Sequence, residues 1–203
     1  MPSNNAPSRK KSRKTLILVL LLFVFPAMLA SFMFFTGWRP STTINHGQLI
    51  RPAKPISDVE FKSLDGKVVK LSELRGKWTM VYFDASTCPD ECVKQLFFMR
   101  QTHVSQGKNQ DRVQRIFVLT DKLAVEALKT KLTEYTGMQV LMGEQSVLNG
   151  LRQEFGIDAG VVSPQRNIYL LDPQGNLMMQ YLPDSEPVGI RKDLERLLKY
   201  SYE

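Results

Sequence analysis

Apolar residues along this chain form one long unbroken run followed by a series of short ones. Residues 15–35 carry no charge and are dominated by Leu, Val, Ile, Phe, Met and Ala, a length that predicts a bilayer-spanning helix, since the apolar core of a membrane needs about 20 helical residues. Pro26 falls inside it, which helices in lipid tolerate as a kink. Beyond that run the pattern alternates. Residues 56–64 and 67–71 flank Asp65-Gly66 and predict a hairpin. Residues 72–76 predict one helical turn closed by Gly76. Short apolar stretches at 78–83, 112–120, 139–142, 167–171 and 177–181 predict strands, the last two joined by the turn Asp172-Pro173-Gln174-Gly175. Between them, periodic spacing predicts helices beginning near Val93, from Asp121 as cap to about Thr136, over 146–155, and over 186–200 on Ile190, Leu194, Leu197 and Leu198. Strands alternating with helices in this order imply an α/β fold with a mixed sheet.

Four segments follow from this pattern: a basic tail at 1–14, an anchor at 15–36, a linker at 37–55 and one globular domain at 56–203. Residues 1–14 are Ser, Asn, Pro and basic residues, a composition that buries no core. A cleaved signal peptide is the competing reading of the apolar run, but such a peptide has a shorter apolar region, and Ala27-Met28-Leu29-Ala30 is a poor small-x-small site. Basic residues stay on the cytoplasmic side of a membrane. The folded domain is therefore expected in the periplasm of a bacterium, tethered to the inner membrane, with Trp38 at the interface. Formal charge is +7, yet Arg9, Lys10, Lys11, Arg13 and Lys14 supply five of those charges. The small remainder excludes a basic face for nucleic acid.

Chemistry concentrates between Lys77 and Val93. A buried strand ends in Asp84-Ala85-Ser86-Thr87, then Cys88-Pro89 begins a helix that also carries Cys92, and the chain has no other cysteine. Spacing of i, i+4 stacks the two sulfurs on one helix face, close enough to form a disulfide or to grip one soft metal ion together. A helix N-terminus lowers a thiol's pKa by presenting free N–H groups and positive dipole, so Cys88 is the expected nucleophile and Cys92, one turn inside, the resolving thiol. Asp90 and Glu91 lie between them; nearby carboxylates oppose thiolates and favour a reducing pair, or simply complement the helix dipole. A passive staple is the plainer alternative, although a four-residue loop removes little unfolded-state entropy.

These features together resemble the thioredoxin superfamily and, within it, the Sco/SenC (PrrC-like) proteins that assemble the copper centre of cytochrome c oxidase. The resemblance rests on the anchor, the Asp65-Gly66 hairpin, residues 71–77, Thr87-Cys88-Pro89-Asp90-Glu91-Cys92 and Tyr169-Leu170-Leu171-Asp172-Pro173-Gln174-Gly175. It covers the chain from about Ile56 onward. It implies a thioredoxin-like fold, thiol–disulfide exchange with an oxidase assembly client such as the copper-binding subunit, and copper held by Cys88 and Cys92. The family's third copper ligand is a His, and counting back from Tyr169 its place is taken by Pro164, which has no donor atom. Val93 also stands where the family commonly has Pro.

Two histidines are left to replace that ligand. His103 lies 11 residues beyond Cys92, roughly 16 Å along one helix at a rise of about 1.5 Å per residue, so it is expected at the helix end and away from the sulfurs. His46 lies in the expected linker, where a ligand is poorly preorganised. Met138, Met142, Met178 and Met179 are soft donors or core filling. Ser163-Pro164 resembles the cis-Pro beside the cysteines of thioredoxin-like proteins, or is an ordinary loop Pro. Two further readings stay open: a Cu(I) chaperone holding the ion between two thiolates, and an assembly scaffold in which the cysteines are incidental.

Overall fold

A computed structural model describes residues 9–36, 44–157 and 166–201. They fall into two units, residues 1–44 and 45–203. In the first, α1 (Arg9–Phe35) contains Pro26, and its stretch Arg13–Phe35 is long and apolar enough to cross a membrane. Trp38 lies outside the described residues.

The second unit is built on one eight-stranded mixed sheet: β1 (Gln48–Pro55), β2 (Glu60–Ser63), β3 (Val68–Lys70), β4 (Trp78–Asp84), β5 (Val113–Leu119), β6 (Met138–Met142), β7 (Ile168–Leu171) and β8 (Asn176–Tyr181), in spatial order β1-β8-β7-β4-β5-β6-β2-β3. Central β4 is buried at every position because β5 runs parallel on one side and β7 antiparallel on the other. Its alternate side chains feed two cores. Trp78, Met80 and Tyr82 pack with Leu96 and Met99 of α2 (Asp90–Val104), Leu128 of α3 (Val125–Leu132) and Ile190, Leu194 and Leu198 of α5 (Pro187–Tyr200). Val81 and Phe83 face the other core with Leu148 and Leu151 of α4 (Gln145–Glu154). A continuous apolar strand covered on both faces is what a central sheet position demands.

The Asp65-Gly66 hairpin forms as β2 and β3, with Gly66 at a φ of +79° where a side chain would strain the turn. The turn before β4 is a 3-10 helix over Leu71–Leu74. Two expectations are corrected. The stretch read as linker becomes β1 from Gln48 onward, antiparallel to β8; its prolines suit an edge strand with a register shift between Leu49 and Lys54, where a missing N–H breaks no central ladder. The helix after β5 ends at Leu132, short of Thr136, and starts from Ala124. Asp121 has a different task.

Candidate functional site

Cys88 closes the loop between β4 and α2, and Pro89 takes the N-cap position, which needs no backbone donor. Cys88 is the one non-glycine with positive φ among the described residues, at +40°. Such a backbone costs about 1–3 kcal/mol and persists only where its surroundings enforce it. The enforcing contacts are visible. Cys88 N–H donates to the Ala85 carbonyl at 3.1 Å, and Lys131 Nζ, reaching across from α3, donates to the Thr87 and Cys88 carbonyls at 3.0 and 2.9 Å. Cys88 and Cys92 are joined as a disulfide with their Cα atoms 5.1 Å apart. Both residues are fully buried, where a helix start alone would leave the sulfurs within reach of solvent. The reason is that the pair packs into the core shared by Tyr82, Leu96 and Phe117.

Ser86 ties this loop to the sheet. Its hydroxyl and N–H both donate to Asp121 Oδ1, the N–H at 3.2 Å, and its oxygen accepts from Ala124 N–H at 2.8 Å. Partial burial raises the Asp121 pKa, but the bonds from Ser86 and Leu123 outweigh it and hold the carboxyl below its ordinary value. So Asp121 braces the cysteine loop rather than capping a helix.

A second brace is charged. Asp84, 1% exposed, accepts from Tyr82 Oη at 2.7 Å, Ala85 N–H at 2.8 Å and Arg166 Nε at 3.2 Å. Arg166 extends its other arm to Glu91 in the first turn of α2, 3.4 Å away. One guanidinium thus links the end of β4 to the residue beside Cys92. Burial, and then the Asp84 charge, push the Tyr82 phenol far above its ordinary value, so it serves Asp84 as a permanent donor. Arg166 also offsets the Glu91 charge that the sequence set against thiolate formation, and Lys131 adds a second cation beside Cys88.

Neither histidine joins the sulfurs. His103 is on α2, its ring 3.2 Å from the Val113 carbonyl, and burial followed by the Arg115 charge lowers its pKa. His46 is anchored rather than loose: its N–H donates to Asp193 Oδ2 at 2.8 Å and its ring Nδ1 sits 3.2 Å from Oδ1. Buried Asp193 also accepts from Gly47 N–H at 2.9 Å, which explains why this stretch is ordered. Met179 is buried against the Tyr181 hydroxyl at 2.8 Å, and Met138, Met142 and Met178 pack on the core. Ser163 and Pro164 lie outside the described residues. Among the described residues no three His, Cys, Asp or Glu side chains gather into a metal cage.

Sequence reasoning found both cysteines and missed Asp84, Arg166 and Lys131. An Asp inside an apolar strand end was the one available signal, because a buried carboxylate demands partners. Arg166 and Lys131 come from distant segments and carry no local mark.

Comparison with known proteins places this geometry. A curated "SCO2-like protein" of Rickettsia felis is 23% identical over 155 residues, covering 68% of this chain and 74% of its own length. Among solved structures, copper-bound ScoI of Bradyrhizobium japonicum aligns with a TM-score of 0.57 at 22% identity, over 70% of this chain and 98% of that one. The thioredoxin domain of a thiol-disulfide oxidoreductase from Bacteroides vulgatus aligns at 0.57 and 18%, over 73% and 99%. The fold is therefore thioredoxin-like, with Sco proteins among its structural neighbours. The family described as "Transmembrane-like, thioredoxin-like, C-terminal domain" matches residues 78–201, well over half of the chain, and the chain belongs to that family.

Proposed function

We propose that this protein is a membrane-anchored thiol–disulfide oxidoreductase whose domain faces the periplasm and whose client is a protein of cytochrome c oxidase assembly. The observation that carries the proposal is the Cys88–Cys92 disulfide at the start of α2, with Cys88 in a left-handed backbone and Lys131 on its carbonyl. In the reduced form the Cys88 thiolate attacks one sulfur of a client disulfide, and the other client sulfur leaves as a thiolate. Cys92 then loses its proton and attacks Cys88 Sγ. The client departs with two thiols, and Cys88–Cys92 is left oxidised, two electrons having moved to the client. Helix dipole and Lys131 favour the attacking thiolate. The likeness to Sco proteins and the apolar α1 support the choice of client and compartment.

Copper fits less well. Two thiolates of the reduced pair alone hold Cu(I) linearly, but the described residues bring no third donor of the His, Cys, Asp or Glu type. Copper is therefore cargo for the client's reduced cysteines, the partner being the copper-binding subunit.

The test is mixed-disulfide trapping with the full chain in detergent. Cys92→Ser should accumulate a covalent adduct with a disulfide-bearing oxidase subunit, and Cys88→Ser should form none. Adducts through Cys92 alone, or none with either variant, would reject the assigned roles.

A further inference from the structure

The C-terminal ends of three parallel strands stand in a row. Asp84 of β4 pairs with Leu119 of β5, and Leu119 with Met142 of β6, so the loops leaving these strands lie side by side at one edge of the sheet. The first loop carries Cys88. The second, residues 120–124, is fastened to it along its length. Thr120 N–H donates to the Asp84 carbonyl at 2.9 Å, Asp121 accepts from Ser86 N–H and from Leu123 N–H at 3.1 Å, and Ala124 N–H donates to the Ser86 hydroxyl. On this fixed backbone Leu123 projects into solvent. It is 88% exposed, more than any other large apolar side chain among the described residues, those of α1 included. At the end of β6, where β2 pairs with it, lies an open depression of about 150 Å³ whose walls include Phe61, Val68, Met142 and Gly143, together with Lys122 of the second loop. Val68 there is 56% exposed.

We infer that this edge is the client-binding track: an extended segment beside the client's disulfide crosses from Cys88 over Leu123 and seats an apolar side chain in the depression. The inference rests on the exchange reading of Cys88 and Cys92. A lone exposed Leu is ordinary on a protein surface. This one is held rigid between the reactive loop and an apolar hollow, so covering it takes apolar area out of water with little chain left to order. The row also sets a spacing. Neighbouring strands are about 4.8 Å apart and an extended chain advances about 3.3 Å per residue, so the path from β4 to the boundary of β6 and β2 is roughly 12 Å, or about three to four residues. The client chemistry that fits is therefore a cysteine with an aliphatic residue three or four positions away in an extended segment.

The experiment uses the reduced full chain in detergent and synthetic peptide disulfides in which Ser fills the flanking positions and a single Leu is placed in turn at each of the nearest positions on either side of the cysteine. Second-order rates of thiol loss are compared across the set. The rate should peak with Leu three or four positions from the cysteine on one side, about fivefold to tenfold above the all-Ser peptide. Uptake into detergent does not depend on where the Leu stands, so the position of the peak reports seating on the protein. Leu123→Ser and Val68→Ser, both at exposed side chains, should each lower the peak at least about twofold, and Leu123→Met should keep it. Rates indifferent to the Leu position, or the same peak in both Ser variants, would overturn the track and leave the exchange reading standing. No exchange with any peptide would reject the role of the cysteines, and the track with it.

Discussion

Asp84 at the end of β4 and Arg115 on β5 are buried charges beside opposite ends of α2, and they are handled in opposite ways. At the N-terminal end Asp84 is enclosed by a phenol, a backbone N–H and the Arg166 guanidinium, so the buried carboxylate has three donors. At the C-terminal end Arg115 has one acceptor and two empty donors. A satisfied buried charge fixes a geometry, here the turn that presents Cys88; an unsatisfied one stores a demand. The cysteine end therefore has its shape fixed by its charges, while the charge at the far end works against the packing around it.

Substitutions break this contrast by predictable amounts. The largest loss is expected for Asp84→Leu, which strands Arg166 and the Tyr82 hydroxyl in the interior. It should cost about 3 kcal/mol, read as a lower urea midpoint. Arg166→Gln should cost about 1–2 kcal/mol, because Asp84 keeps its two neutral donors and the Glu91 contact is largely exposed. The same variant should slow attack by Cys88, since Glu91 then loses its offsetting cation. Arg115→Met, removing a charge of similar burial, should be neutral or stabilising by about 1 kcal/mol. A matching loss at both sites would erase the distinction drawn between them.

The smallest effect is a pH slope. His103 has a folded pKa below its unfolded value, so the unfolded chain takes up the proton first as pH falls. Stability is then full above about pH 6.5 and declines below it, with a slope of at most about 1.4 kcal/mol per pH unit. His103→Gln should flatten that decline.

Much of this architecture was legible in the chain because its signals are local. The Asp65-Gly66 turn, the apolar run of β4 and the i, i+4 cysteines each state their own conformation within a few residues. Gln48–Pro55 did not, because an edge strand with two prolines has the composition of a linker and is defined only by its pairing with β8. The burial of the sulfurs was hidden for a related reason. A helix start reads as exposed until the core beneath it, with Tyr82 and Phe117, is assembled. Arg166 and Lys131 reach the cysteine loop from 74 and 39 residues beyond Cys92 in the chain, contacts that no short pattern encodes.

The central claim is that Cys88 and Cys92 exchange electrons with a partner rather than staple a loop, and the reduction potential of the pair in the full chain tests it most directly. Equilibration against glutathione redox buffers should give a value between about −180 and −270 mV, where exchange catalysts operate. A potential below about −300 mV, typical of structural disulfides, would contradict it.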